Sequence, residues 1–251
     1  MSTSKNLAVS EMKAKGKPLQ KMFNQVPDNY DFLNRLLTLR LDEIWRKKAA
    51  KTILNENPEL IMDLGTGTGD LAVRLAKKSD KIHVTGYDFS GSMLEVARKK
   101  AKKYSLENVG FIEGDAAEMP FQDNYFDVVG ISFAFRNITF KNPNTKLYLA
   151  EVLRVLKPGG KFVIVESSQP ENKLVRAIFH AYLHYLVSGI GGKLSRSKGA
   201  YHYLAYSAKN FYSPKELKDL LIRHGFDSVN HDPMFFFFFS VTVARKPYQA
   251  V

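Results

Sequence analysis

A doubly wound α/β fold with a mostly parallel sheet is predicted by three observations. From residue 59 onward, short apolar runs alternate with helical patterns, the order in which parallel strands and their crossover helices follow one another. Several of the runs are almost continuously apolar, as strands become when helices cover both faces of a sheet. A glycine-rich segment follows the first run and opens a helical pattern, where open parallel sheets bind ligands.

The predicted strands are Glu59 to Leu64, Ile82 to Asp88, Val109 to Gly114, Phe126 to Phe133 and Lys161 to Glu166. Leu149, Val152, Leu153 and Leu156 recur at the i, i+3, i+4, i+7 spacing of a buried helix stripe, which Pro158-Gly159-Gly160 should end before the next strand. Ser213-Pro214 starts a helix as cap and first-turn proline, and Gly225 stops it. Phe226 to His231 and Phe235 to Ala244 read as a closing strand pair with Asp232-Pro233 as its turn, the five consecutive phenylalanines filling both faces of a buried strand. Two regions stand outside the alternation. Residues 21–56 form a helical cap, with Leu33, Leu36, Leu37, Leu41 and Ile44 on one stripe, and 172–212 is an insertion rich in aromatics that reads as a lid. The expected organisation is a basic, mobile arm over 1–20 and a single domain over 21–251.

Composition narrows the function. The 251 residues are 45% hydrophobic and 25% charged, with 16 Gly and 10 Pro, ordinary globular usage that argues against disordered or collagenous chains. The absence of cysteine excludes a disulfide framework, a thiolate metal site and a cysteine nucleophile. Met1 to Lys21 carries five Lys against one Glu without the apolar core of a secretion signal. Met234 to Phe239 is far shorter than the ~20 residues needed to cross a bilayer, and Leu174 to Ile190 is interrupted by Arg176, His180 and His184. A soluble, cytoplasmic protein is expected. The net charge of +12 suits nucleic acid or an anionic membrane, and equally serves solubility alone.

The chemistry begins at Asp63-Leu64-Gly65-Thr66-Gly67-Thr68-Gly69-Asp70. The third glycine of a dinucleotide fingerprint would fall on Asp70, and no Gly-Lys-Ser/Thr follows, so neither NAD nor a phosphate-cradling loop fits. A carboxylate at Asp63 repels pyrophosphate and favours a ligand carrying positive charge, such as S-adenosylmethionine with its sulfonium and ammonium. Asp88 closes the second strand about twenty residues later, where an acidic side chain can accept both ribose hydroxyls; helix capping is its alternative, although Ser90 is better placed to cap. Asp115 follows the third strand and could accept an adenine amino group, with Ala116 leaving room for the ring. His180 and His184 have a zinc spacing, but Ala181 stands where that motif carries its glutamate, so packing is the expected role and no metal is expected. Gly130-Ile131-Ser132-Phe133-Ala134 lacks one glycine of a hydrolase elbow.

The glycine loop and the two acidic strand ends resemble a class I S-adenosylmethionine-dependent methyltransferase. Further segments resemble the UbiE/MenG/COQ5 family of quinone C-methyltransferases. Tyr30-Asp31-Phe32-Leu33-Asn34 with Thr38 and Trp45 is similar to its N-terminal signature, with Leu33, Thr38 and Asp42 where Met, Ser and His are usual. Arg154 through Ser168 fits its second signature throughout, Ile131 through Thr139 resembles its segment after the fourth strand, and Tyr201 through Ser207 its lid motif, with His202 where Arg is frequent. The resemblance implies a seven-stranded sheet and cofactor contacts at Thr68, Asp88, Asp115, Ala116 and Ser132, beside the Asp63, Gly65, Gly67 and Gly69 of the loop.

The resemblance also implies S-adenosylmethionine-dependent C-methylation of a prenylated quinol ring, either demethylmenaquinol or the methoxy-polyprenyl-benzoquinol. A phenolate-stabilising cation would raise the nucleophilicity of the ring carbon, and Arg136 is the candidate, with carboxylate bridging as its structural alternative. Tyr201 and His202 of the lid motif complete the expected catalytic set. A substrate with a prenyl tail implies transient contact of the basic arm and the apolar lid face with the inner membrane surface; a homodimer is compatible with the pattern. Nucleic acid is not an expected partner, because Ser132 to Asn137 contains no proline and so lacks the Pro-Pro motif of amino-group methyltransferases. Other rivals are a sterol or phenol methyltransferase and a membrane-surface module that retains only the fold.

Overall fold

The computed structural model describes residues 35, 38, 40–191, 198–236 and 238–248. The basic arm over 1–20, the segment Tyr30 to Asn34 and residues 192–197 of the insertion lie outside the described residues. The strands are β1 (Leu60–Leu64), β2 (His83–Asp88), β3 (Val109–Glu113), β4 (Phe126–Ser132), β5 (Leu156–Ser167), β6 (Ser228–Met234) and β7 (Phe239–Arg245). They form one seven-stranded sheet in the order β3-β2-β1-β4-β5-β7-β6. The β1–β2, β1–β4, β2–β3 and β4–β5 pairings are parallel, and β7 runs antiparallel to both neighbours.

The helices are α1 (Leu41–Leu54), α2 (Asp70–Ala76), α3 (Gly91–Lys103), α4 (Phe135–Thr139), α5 (Thr145–Val155), α6 (Lys173–Tyr182), α7 (Lys198–Lys209) and α8 (Pro214–Arg223), with a π-helical stretch, Leu183–Gly191, continuing α6. Successive strand residues point to opposite faces, so each strand feeds two cores. Ile61, Val128 and Val163 pack with Trp45, Ala49 and Ile53 of α1 and Leu71 and Leu75 of α2. Met62, Val129, Phe162 and Ile164 pack with Leu149 and Val152 of α5, Leu217 and Leu221 of α8, and Phe226. α8 begins as expected, with Ser213 and Glu216 forming a capping box and Pro214 in the first turn.

Two sequence expectations are corrected at the C-terminal half of the sheet. α5 ends at Val155 and β5 starts at once at Leu156, running through Pro158-Gly159-Gly160; the irregularity is absorbed by a register shift against Phe126 and Val128. The turn of the closing hairpin is not Asp232-Pro233. Those residues pair with Val241 and Ser240 inside β6, where a proline is tolerated because β6 is the sheet edge. The turn is made by the phenylalanines themselves. Phe235 and Phe236 adopt φ of 45° and 53°, the Phe238 N–H donates to the Phe235 carbonyl at 3.0 Å, and Phe235 and Phe236 are exposed rather than buried in a strand.

The loop between β3 and β4 is tied to α5. Arg154 donates to the carbonyls of Met119 (2.9 Å) and Phe121 (2.7 Å) and to Asp123 (2.8 Å), while Glu151, itself bonded to Arg154, accepts from the Met119 N–H at 2.7 Å. Only a planar guanidinium serves this many acceptors at once. Arg154→Lys should therefore cost about 1–2 kcal/mol, read from urea unfolding, and hydrogen exchange at Met119 should accelerate while exchange in β4 stays unchanged.

Candidate functional site

The C-terminal ends of β1, β2 and β4 open into one cleft, and α1, α6 and α7 roof it. Asp63, at the end of β1, is buried. Its Oδ2 accepts from Thr66 Oγ1 at 2.6 Å and from the Ala72 N–H at 3.0 Å, which clamps the glycine loop to the first turn of α2. Oδ1 has no hydrogen-bond partner among the described residues. Burial pushes the carboxyl up to about 7, against the opposing pull of Thr66, Ala72 and Arg46. Asp88 does the same for the loop from the neighbouring strand: it accepts from the Gly67 N–H at 2.8 Å and the Ser90 N–H at 2.9 Å, and burial raises it too. Ser90 is the α3 cap, as expected, accepting from the Met93 N–H.

The glycines are required by different neighbours. Gly65 has φ +64, and a Cβ there would lie 2.7 Å from the Cβ of Ala134. Gly67 has φ +54 and open space beside it, so its backbone faces the cleft. Gly69 supports the loop from behind, where a Cβ would meet Ala97 at 2.8 Å.

Of the residues singled out from the sequence, Asp63, Gly65, Gly67, Thr68, Asp88, Ala116, Ser132, Arg136 and Tyr201 line the cleft together. Ser132 presents a buried, unbonded Oγ. Gly69, Asp115 and His202 are not brought there. Asp115 is exposed beyond β3, its Oδ1 taken by the Ala117 N–H at 2.9 Å. His202 is exposed on α7, its Nδ1 2.7 Å from Ser188 Oγ. Arg136 is no free cation either: its Nη1 is paired with the fully buried Glu166, which also accepts from the Arg136 and Ser167 N–H groups. Both partners are buried, so the pairing is internal rather than on the surface. His180 shares its Nε2 with Gln169 Oε1 at 3.0 Å, while His184 meets the ring of Tyr185 edge-on.

The apolar half of the cleft draws on the aromatic insertion expected as a lid, although the sequence assigns no single residue to its wall. Trp45, Phe133, Phe179, Tyr182, Leu183 and Leu204 line it. Trp45 stacks on Phe239 at 3.7 Å, and Phe133, at the end of β4, holds a φ of +59, a backbone state rare for a bulky residue and typical of ligand sites. Burial pushes the Tyr182 hydroxyl up to about 12, reinforced by Asp42, so it remains protonated and able to donate. Thr38 and Asp42, the two departures from the N-terminal signature that fall within the described residues, are bonded to each other at 2.7 Å, and Asp42 also pairs with Arg46.

The donor set fits a cationic nucleoside. Two buried carboxylates, one with an unbonded oxygen, repel phosphate and attract a sulfonium or ammonium, and Tyr87, Phe89, Met93 and Ala116 surround space for a flat ring. Among the described residues no group of three His, Cys, Asp or Glu could hold a metal ion.

The ubiE/COQ5 methyltransferase family matches residues 11–244. The chain is 39% identical to the demethylmenaquinone methyltransferase of Chlorobaculum tepidum, covering 98% of this chain and 100% of that one. It is 38% identical to the Thermus thermophilus protein of the same name (90% and 100%) and 35% identical to that of Staphylococcus epidermidis (88% and 90%). Solved structures share the fold at lower identity. An Aquifex aeolicus S-adenosylmethionine-dependent methyltransferase superposes with a TM-score of 0.54 at 20% identity, over 74% of this chain and 81% of that chain. An O-methyltransferase family protein of Burkholderia thailandensis gives 0.64 at 14%, over 86% and 58%.

Asp63 carries a pH signature. Its folded-state value lies above the ordinary 3.8, so the native state binds a proton more tightly than the unfolded chain, and its contribution to stability is full below pH 3.8 and lost as pH rises to about 7. The stability difference between the parent chain and Asp63→Asn, measured by urea unfolding, should shift against the parent by a few kcal/mol (on the order of 1.4 kcal/mol per pH unit) across that window and stay flat above it.

Proposed function

Because the chain belongs to the ubiE/COQ5 methyltransferase family and is thereby an S-adenosylmethionine-dependent methyltransferase, we propose that it methylates a ring carbon of a prenylated quinol, with demethylmenaquinol as substrate. The observation that carries this reading is the divided cleft: a carboxylate- and glycine-lined half continuous with a half walled by Trp45, Phe133, Phe179 and Tyr182. The curated relatives are named demethylmenaquinone methyltransferases, which supports the naphthoquinol over the benzoquinol.

S-adenosylmethionine supplies an electrophilic methyl group when bound. Asp63 Oδ1 and Ser132 Oγ offer unbonded oxygens to its charged end, Asp88 retains acceptor capacity for the ribose, and Gly67 admits the ligand against the backbone. The quinol ring belongs between the aromatic walls, with Tyr182 and Tyr201 as hydroxyl partners and the Arg136 Nε, which has no partner among the described residues, as a donor to a quinol oxygen. This chain's part is to seat the quinol ring with its hydroxyls bonded and its reacting carbon turned toward the carboxylate-lined half. With Arg136 neutralised by Glu166, most of the acceleration comes from holding ring carbon and methyl in line and dry. In this reading residues 21–251 act as one catalytic unit with the 21–56 cap and the 172–212 lid, in the cytoplasm, with reversible contact at the inner membrane surface.

Single-turnover transfer of labelled methyl should place label on a ring carbon of reduced demethylmenaquinol. Label found instead on a benzoquinol, a sterol or total RNA overturns the substrate assignment. Gly65→Ala, with its Cβ against Ala134, should weaken cofactor binding by about tenfold or more in calorimetric titration.

A further inference from the structure

The closing hairpin ends in an unusual turn. Phe235 and Phe236 occupy left-handed backbone positions that glycine or asparagine ordinarily fill, yet their rings are 44% and 70% exposed. They are not isolated. Phe238 of the same turn stacks on Phe179 of α6 at 4.8 Å, and Trp45 of α1 lies 6.3 Å from Phe235, so the turn is wedged between these two helices.

Both flanking helices present unexpected outer faces. On α6 and its π-helical continuation, Leu174, Ile178 and Tyr185 stand 72%, 56% and 68% exposed along one stripe, while the opposite face (Phe179, Tyr182 and Leu183) lines the cleft. The wall between the apolar half of the cleft and the surface is thus one helix thick. On α1, exposed Ile44 is followed at helical spacing by Lys47, Lys48 and Lys51. Lys48 pairs with Asp232 at 2.6 Å; Lys47 and Lys51, like Lys173 and Arg176 on α6, pair with no carboxylate among the described residues.

We propose that the Phe235–Phe236 turn, with the outer faces of α6 and α1, inserts shallowly into an anionic lipid bilayer and sets the cleft against it. Aromatic and aliphatic side chains beside unpaired lysines are the composition of an interfacial anchor, which combines apolar burial with attraction to anionic headgroups. A purely apolar partner surface would leave the cations without a role, whereas anionic lipid uses both halves of the patch. The proposal rests on the prenylated-quinol reading and adds the surface through which such a substrate would be met.

The test uses the full chain with vesicles of phosphatidylglycerol and phosphatidylcholine, against phosphatidylcholine alone. The parent should sediment with the anionic vesicles and be released by salt. Phe235→Ser with Phe236→Ser should weaken that binding about tenfold, and Lys47→Gln with Lys51→Gln should weaken it only at low salt. Methyl transfer to a short-chain, water-soluble quinol should be unchanged in both, since none of these residues lines the cleft. As the chain has no cysteine, Phe236→Cys accepts a single spin label, whose exposure to dissolved oxygen should rise on vesicle binding. Undiminished binding of the serine variant, or a label that stays in water, overturns the proposal. So does a parent dimer that the serine variant abolishes, because the patch would then join copies of this chain. Failure to methylate the short-chain quinol would instead sink the substrate reading while leaving the vesicle result standing.

Discussion

The site depends on two buried carboxylates that hold a glycine loop in shape. Asp63 takes Thr66 and Ala72; Asp88 takes Gly67 and Ser90. Burying an acid is costly unless its oxygens are bonded, and here the Thr66 hydroxyl and the N–H groups of Gly67, Ala72 and Ser90 supply those bonds. The same bonds fix which N–H groups are consumed and which oxygens remain. Asp63 Oδ1 is the remainder: a buried acceptor left unsatisfied among the described residues and one that a cationic ligand can satisfy. Loop geometry and ligand preference therefore come from one set of interactions.

Around this clamp the sheet was readable from the chain. The five parallel strands lie close to where continuous apolar runs place them, because covering both faces leaves little room for polar side chains. The failures have physical causes. A run of five phenylalanines reads as a strand by apolarity alone, whereas the backbone reverses within it and leaves two rings in solvent. Pro233 reads as a turn until β6 is seen at the sheet edge, where its missing N–H costs no ladder bond. Neither is visible without the neighbouring strand.

The polar half of the cleft is legible residue by residue, the apolar half only as an aromatic insertion. Glycines and aspartates at strand ends carry their meaning in local order, so Asp63, Gly65, Gly67 and Asp88 stand out in the chain as candidates and line one cleft in the fold. Trp45, Phe133 and Tyr182 come from three separated segments and meet only through folding. His202 shows the converse error: its neighbours in sequence, Tyr201 and Leu204, face the cleft, but the helix turns it outward to Ser188. Arg136 lines the cleft, and its partner Glu166, thirty residues on, changes what its charge can do.

The stacking of Trp45 on Phe239 gives the protein a built-in optical probe. It is the only tryptophan in the chain, it is buried, and it lines the cleft. Excitation at the red edge, where tyrosine does not absorb, addresses the wall of the apolar half and nothing else. An aromatic quinol entering there would lie within energy-transfer range of that single indole, so occupancy could be followed by emission in real time without any label.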